Sequence, residues 1–305
     1  MLKYVFDKLN MTKNYKQNQI INKMQIIDHS VSKETFTLKI NPMNGVLQTL
    51  PQPENLSKYY ESEDYISHTD SKRTLIEKLY HLVKQRALKQ KVSLIQNYQP
   101  STINHRLLPI AIGKQLLLDI GAGTGDFLVE AKKAGINTLG FEPNPKARTI
   151  AINKGITLVE QTQSIENKTV DVITMWHVLE HVPDLASQIN ELKRLLKPSG
   201  ILIVAVPNYK SYDASFYKQY WAAYDVPRHL WHFSSDSMIQ LFEKQNFKHL
   251  KTLPMWFDSF YVSMLSEKYK TGRICYIRAF LIGLLSNIKG MLSKQYSSHI
   301  YIFKK

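Results

Sequence analysis

Leu116-Leu117-Leu118-Asp119-Ile120-Gly121-Ala122-Gly123-Thr124-Gly125-Asp126-Phe127 places three structural elements in one line. An apolar run broken by one acid has the length of a buried strand. Three alternating glycines then make a tight turn, and a helical pattern starts near Phe127. Glycine lacks a Cβ, so the backbone of this turn can lie close to a bound molecule. The spacing argues against a dinucleotide fingerprint, G-x-G-x-x-G, whose third glycine would stand at position 126. Asp126 occupies that position and Gly125 falls one place early.

Beyond the glycines the chain alternates strand and helix. Helical stretches are expected at Phe127 to Ala134, Lys146 to Lys154 and Leu185 to Leu196, with Gly135 and Gly155 as stops. Strands are expected at Thr138 to Phe141, Ile156 to Val159, Val170 to Met175 and Ile201 to Val206. Such alternation argues a parallel sheet with right-handed crossovers, hence an α/β fold. Later, Ser234-Ser235-Asp236 reads as the N-cap of a helix over Met238 to Gln245, and Phe247 to Leu253 and His299 to Phe303 read as strands. Upstream, residues 1–27 carry no clear pattern. Residues 34–40 and Val46 to Leu50 form a hairpin around Asn41-Pro42-Met43-Asn44-Gly45. Leu56 to about Tyr98 is helical in character, and Pro100 and Pro109 bracket a linker into the glycine turn.

The D-x-G-x-G-x-G form of residues 119–125 resembles motif I of class I S-adenosylmethionine-dependent methyltransferases. The segment Met175-Trp176-His177-Val178-Leu179-Glu180-His181-Val182 extends the likeness to the subfamily that includes the ubiquinone-biosynthesis O-methyltransferases, which carry a similar Leu-Glu-His run. The resemblance implies a Rossmann-like, seven-stranded, mostly parallel sheet with helices on both faces, closed by an antiparallel strand pair. A methyltransferase domain over 113–305, with insertions near 209–233 and 257–293, would follow an N-terminal hairpin and helical cap over 1–112. The implied cofactor is S-adenosyl-L-methionine, bound by Asp119, Gly121, Ala122, Gly123 and Gly125. By the same resemblance, Trp176 and His177 lie against the methionine moiety and sulfonium. Asp119 either pins the loop or reaches the ligand's ammonium through water.

Glu142 ends the strand that follows, roughly 20 residues past the glycines, where a carboxylate can accept both ribose hydroxyls. The stretch Leu158 to Ile165 has no aspartate for the adenine amine, which leaves Gln161 as the candidate. His181 is a candidate general base, with a capping or core role as its alternative. The cluster Tyr220 to Phe233 follows the strand beside which such folds build an acceptor pocket. In it His229 or His232 are further candidate bases; alternatively its aromatics are lid packing and Arg228 pairs with Asp225. In similar methyltransferases an N-terminal hairpin carries Cys-x-x-Cys and binds zinc. Asn41 and Asn44 stand there instead, so no zinc site is expected in the hairpin, and His229 and His232 with one acid are too weak a pattern for a metal elsewhere.

The bulk numbers are compatible with this reading. A chain of 305 residues with 44% hydrophobic content can build a full-sized core. One cysteine, Cys275, excludes an internal disulfide and suits a reducing, cytoplasmic setting. Net charge is +15, but the lysines are scattered, so a solvated basic surface is preferred to a nucleic-acid partner. Met1 to Met24 lacks the apolar stretch of a secretory signal. Residues 273–293, apolar with basic flanks, read as a helix packed on the sheet or on a second subunit, in preference to one that dips into a membrane surface or binds an apolar acceptor. The expected partner is a small-molecule acceptor. Two rival functions are a nucleotide-dependent oxidoreductase or epimerase, disfavoured by Asp126 and the lack of a nearby Tyr-x-x-x-Lys, and a non-catalytic binder of the same cofactor.

Overall fold

A computed structural model describes residues 23–60, 75–98 and 115–305. The start of the chain, the linker bracketed by Pro100 and Pro109, and residues 61–74 of the expected Leu56–Tyr98 helical stretch lie outside the described residues.

The hairpin forms as expected. Strands β2 (Thr35–Ile40) and β3 (Leu47–Leu50) pair antiparallel, with Ile40 opposite Leu47. The turn is closed by its asparagines: the Asn41 carboxamide accepts from the Met43 N–H at 3.0 Å and that of Asn44 from the Val46 N–H at 3.1 Å. A strand not evident in the sequence, β1 (Met24–Ile27), extends the sheet beyond β2. Ser57–Tyr60 form one short 3₁₀ turn, and helix α1 spans Leu75–Asn97.

The glycine stretch opens the main sheet. Strand β4 (Leu116–Ile120) leads through the turn into α2 (Asp126–Lys133), followed by β5 (Asn137–Phe141), α3 (Pro145–Asn153) and β6 (Leu158–Val159). Helix α3 begins for readable reasons: the Asn144 side chain caps the Lys146 and Ala147 N–H groups and Pro145 takes the first turn. Strand β7 (Val170–Trp176), α4 (Leu185–Leu195) and β8 (Leu196–Pro207) complete the parallel part. Strand β8 starts five residues earlier than the Ile201 expected from the sequence. Leu196 already pairs with Val170, and the register shifts before Ile201 meets Val172, so the Lys197–Gly200 turn survives as a bulge.

The remaining elements are α5 (Tyr212–Tyr217), a two-residue β9 (Trp231–His232), α6 (Ser235–Glu243), β10 (Lys248–Pro254), α7 (Asp258–Thr271), α8 (Tyr276–Ser293) and β11 (Ser298–Lys304). Helix α6 is capped at Ser234 by a reciprocal bond with Ser237. The seven strands run in the order β10-β11-β8-β7-β4-β5-β6. Strands β8, β7, β4, β5 and β6 are mutually parallel, and β11 is antiparallel to β8 and β10. This is the α/β sheet expected. Successive crossovers leave β4 in opposite directions, toward β5 and toward β7, which makes its carboxyl end the switch point where open α/β sheets bind ligands.

Both faces of the sheet are covered. Leu185, Ile189 and Leu192 of α4 with Met238 and Phe242 of α6 bury one face against Leu118, Ile173, Leu202 and Phe303. Val92 and Ile95 of α1, Phe127 and Leu128 of α2 and Ala151 of α3 bury the other against Leu117, Val172 and Ile203. Each fully buried side chain of this kind contributes about 1.5–3 kcal/mol. A third cluster joins the N-terminal sheet to the 209–233 segment: Phe36 and Leu38 pack with Tyr217, Trp221 and Val226. Strand β9 completes the union by pairing with β3, His232 opposite Leu47.

Candidate functional site

The candidate site, the cleft, is the crevice position at the carboxyl ends of β4, β5 and β7. Gly121, Gly123 and Gly125 all have positive φ, at 76°, 54° and 78°. They differ in what a side chain would meet. A Cβ on Gly121 would stand 2.3 Å from a Val178 methyl, and one on Gly125 3.0 Å from the Ala151 Cβ. A Cβ on Gly123 would meet nothing within 4 Å, so this glycine faces open space. Ala122 is buried, and its N–H, like that of Gly121, donates to the Phe141 carbonyl. Asp126, the residue that breaks the dinucleotide spacing, pairs with Lys84 of α1 at 2.7 Å and with Lys154 beyond α3. It ties three helices together at the foot of the turn.

Glu142 stands just past β5 and is 7% exposed. One carboxylate oxygen accepts the Gly123 N–H at 2.7 Å and the other the Asn144 N–H at 2.8 Å. Each oxygen keeps a lone pair for a further donor. Asp119 is buried beneath, with the Thr174 hydroxyl donating to it at 2.6 Å. Burial raises its pKa to about 7, while the Thr174 bond and the Lys91 charge oppose the rise.

Trp176 lies at the end of β7, its ring edge-on to Phe127 at 5.5 Å between centroids, and the Lys91 ammonium lies 4.3 Å from its own ring centroid. Burial lowers the Lys91 pKa, and Asp119 and Asp258 counteract it. The cleft therefore already holds a cation over an aromatic face between two carboxylates. His177 adopts φ 57°. Its Nε2 faces Asp258 at 3.1 Å and its Nδ1 faces Glu180 at 3.3 Å. Burial opposes a charged imidazole, but the two carboxylates win and raise its pKa to about 10. His177 is thus a fixed cation at neutral pH. Gln161 is exposed beyond β6, at the start of a short 3₁₀ turn.

The three histidines singled out in the sequence come together. The His181 and His229 rings meet edge-to-face at 4.6 Å and those of His229 and His232 lie 6.3 Å apart. The 209–233 segment is strapped onto the turn after β7. Leu230 N–H donates to the Glu180 carbonyl at 2.8 Å and the Trp231 indole to the Val182 carbonyl at 2.8 Å. Thr49 of β3 joins in, its hydroxyl donating to the His229 carbonyl at 2.6 Å and lying 3.0 Å from His232 Nε2.

The roles of the rings diverge. His181 Nδ1 lies 2.9 Å from the Arg228 carbonyl and 3.0 Å from the Tyr60 hydroxyl. A carbonyl accepts only, so Nδ1 carries the proton and Nε2 keeps its lone pair. Burial lowers the His181 pKa to about 4, and the neighbouring His229 ring adds to the effect. His229 is placed alike, with Nδ1 2.9 Å from the Ala223 carbonyl. His232 is buried, and burial drives its pKa well below the ordinary histidine value. Arg228 is 4% exposed and pairs with Asp225 through two of its nitrogens, its Nη1 donating to the Tyr59 carbonyl at 2.9 Å.

Glu180 sits between these groups, 1% exposed, and apart from the ion pair with His177 neither of its oxygens has a hydrogen-bond partner among the described residues. Burial alone would raise it, yet His177 and His229 hold it below the ordinary carboxylate value. Donor atoms of Glu180, His181 and His229 lie within 4.8 Å of one another, close enough to share one small cation.

Two residues of the cleft carry no mark in the sequence reading. Asp258 follows the carboxyl end of β10, a strand parallel to β8, so an acid there faces the same edge as Glu142. That placement is a usable signal. Lys91 gives none, because a lysine in a long helix reads as a solvated face.

A family model described as a methyltransferase domain matches residues 93–252. The ubiquinone biosynthesis O-methyltransferase of Actinobacillus pleuropneumoniae is 39% identical over 110 residues, 32% of this chain and 47% of that protein. The enzyme of the same name from Colwellia psychrerythraea is 34% identical over 102 residues, 30% of this chain and 42% of that protein. The chain thus spans about half the length of the curated relatives it matches. Among solved structures, a SAM-dependent methyltransferase from Archaeoglobus fulgidus shares 17% identity over 74% of this chain and 99% of that one, with a TM-score of 0.46.

Proposed function

The chain belongs to the methyltransferase domain family, and on that premise we propose that it binds S-adenosyl-L-methionine in the cleft of β4, β5 and β7 and methylates a small-molecule acceptor. The observation that carries the reading is Glu142, fixed by the Gly123 and Asn144 N–H groups beside the open side of Gly123.

The residues present fit such a ligand. Glu142 keeps lone pairs for the two ribose hydroxyls. Gly123 leaves room for close backbone approach, with Gly121, Ala122 and Gly125 shaping the loop around it. The Trp176 ring face suits a cation, but Lys91 already occupies it and His177 already pairs with Asp258, so a cationic ligand takes that face only by displacing the Lys91 ammonium. The buried Trp176 Nε1 has no partner among the described residues and is free to donate. Gln161 is the candidate for the adenine amine. His177 holds the turn after β7 through its two carboxylates.

Bound there, S-adenosyl-L-methionine supplies an electrophilic methyl group whose sulfur leaves as a neutral thioether. The protein's own work is alignment, bringing acceptor and methyl carbon to about 3–3.5 Å in line. A phenol or alcohol must also lose a proton, and the neutral His181, its Nε2 lone pair directed away from the Arg228 carbonyl, takes it; His229 is placed for the same task. His232, bound to Thr49, braces the pair. The lone exposed thiol of Cys275 fits a reducing cytoplasmic setting.

The test is turnover. The protein is incubated with S-adenosyl-L-methionine and a panel of phenols, alcohols and amines, and S-adenosylhomocysteine release is followed. Acceptor-dependent release supports the proposal. Cofactor binding with no release on any acceptor favours a non-catalytic binder.

A further inference from the structure

Helix α8 is built inside out. Apart from Ile282, its buried face is small or polar: Ala279, Gly283, Ser286, Asn287 and Gly290 all lie against the protein. Gly283 fits against Phe260 and Gly290 against Tyr296, at distances where a Cβ would clash at 2.8 and 2.7 Å. The Ser286 hydroxyl donates to the buried Asp213 at 2.6 Å and the Asn287 amide to the Trp256 carbonyl at 2.9 Å. These contacts fix the orientation of the helix. They leave Ile277, Phe280, Leu281, Leu284, Ile288 and Leu292 as one stripe facing outward, with Ile277 76% and Leu292 85% exposed. The exposed Trp256, Phe257 and Tyr261 continue the apolar surface along the start of α7, beside Asp258 of the cleft. Phe260 stacks on Phe280 at 5.4 Å between ring centroids and still leaves it 57% exposed; the other residues of the stripe are exposed. A soluble surface helix carries the opposite pattern, so this face is made for an apolar partner.

Charge selects the partner. From Lys268 to Lys305 the chain holds eight lysines and arginines and no aspartate or glutamate. Arg273, Arg278, Lys289 and Lys294 flank the stripe and are exposed; Arg278 pairs with Glu267 at 3.2 Å, and the Lys289 ammonium lies over the Tyr212 ring. A second copy laid on this face would bring basic flank to basic flank with no acid of the same segment to neutralise it. An anionic lipid surface meets both requirements, accepting the apolar stripe among its acyl chains and the basic rim at its headgroups. Among the described residues no helix is long and apolar enough to cross a membrane, which leaves α8 to lie along the interface.

We propose that α8 and the Trp256–Tyr261 turn form a docking face for an anionic lipid bilayer surface. The face is independent of methyl transfer, although it borders the cleft and would hold it against the membrane.

The test is flotation of the full-length protein with vesicles of pure phosphatidylcholine and of phosphatidylcholine containing phosphatidylglycerol, beside sedimentation equilibrium without lipid. The paired variant Ile277→Ser/Leu292→Ser removes apolar surface and keeps the net charge. Binding to the anionic vesicles that falls at least tenfold in this variant, with S-adenosylhomocysteine affinity unchanged, supports the proposal. Equal binding by variant and wild type assigns the affinity to the general basic surface and overturns it. Absence of vesicle binding together with a dimer that the variant dissociates also overturns it, in favour of a second copy. Vesicle binding by a protein that takes up no S-adenosylhomocysteine supports the docking face and removes the methyltransferase reading alone.

Discussion

Glu142 accepts the Gly123 N–H at 2.7 Å, and that bond joins the two features of the cleft that a nucleoside-bearing ligand needs. The acid stands ready for hydroxyl groups, and the glycine beside it has no side chain to bar their approach. Removing the acid as Glu142→Ala is expected to weaken S-adenosylhomocysteine binding by about 1.5–3 kcal/mol, the loss typical of hydrogen bonds to a charged group. Calorimetric titration reads it; unchanged affinity would reject Glu142 as the ribose anchor.

The glycines separate by what surrounds them. Gly121→Ala combines a positive φ with a 2.3 Å clash on Val178, and overpacking of that kind costs about 1–3 kcal/mol before the backbone strain is added. A clear drop in melting temperature is expected. Gly123→Ala meets no neighbour and carries only the left-handed penalty, about 1–2 kcal/mol. It should fold and lose affinity for the cofactor. Thermal melts alongside titration distinguish the two, and normal binding by a folded Gly123→Ala would mean that the ligand does not approach this turn.

His181 is expected to act at Nε2 as an unprotonated base. With its pKa lowered to about 4, the turnover of a hydroxyl acceptor should show no acid limb near pH 6.5 from this residue. His181→Ala should slow turnover by about 10²–10⁴-fold while leaving cofactor affinity nearly intact. Full activity in that variant would remove the assignment.

Much of this arrangement is legible in the amino-acid sequence. The α/β alternation, the hairpin, the glycine turn and Glu142 follow from local patterns: period, glycine spacing, and an acid at the end of a strand. Long-range pairing is less accessible. Nothing local announces that β9 pairs with β3, or that Thr49 bonds His232 far along the chain, because such contacts are chosen by packing between distant segments. The Lys91 ammonium over Trp176 and the Asp258–His177 pair are hidden for the same reason. Helix α8 is legible as a helix, but the face it turns outward depends on glycine contacts with Phe260 and Tyr296.

The share of stability carried by the buried neutral histidines should fall toward acid. His299 is 1% exposed, its Nε2 accepts the Tyr296 N–H at 3.2 Å, and burial lowers its pKa to about 4. An imidazole held neutral contributes stability that is present above the unfolded pKa of about 6.5 and lost as pH falls through about 4. For His299 the loss amounts to about 3 kcal/mol at most. His232 adds in the same direction. His177 has the opposite sign: raised to about 10, it contributes below about pH 6.5 and its share fades as pH climbs toward 10. Denaturant midpoints from pH 4 to 10 check both limbs, and His299→Gln should flatten the acid one. Asp119, raised to about 7, has the opposite sign over pH 4 to 7, so the wild-type curve is the sum of the two; an acid limb unchanged in His299→Gln would contradict the buried neutral histidine.

Titration calorimetry with S-adenosylhomocysteine, and with NAD as the comparison, tests the cofactor assignment most directly. Micromolar binding of S-adenosylhomocysteine, with none of NAD, is predicted from the glycine spacing, Asp126 and Glu142. Binding of NAD, or of neither ligand, would contradict it.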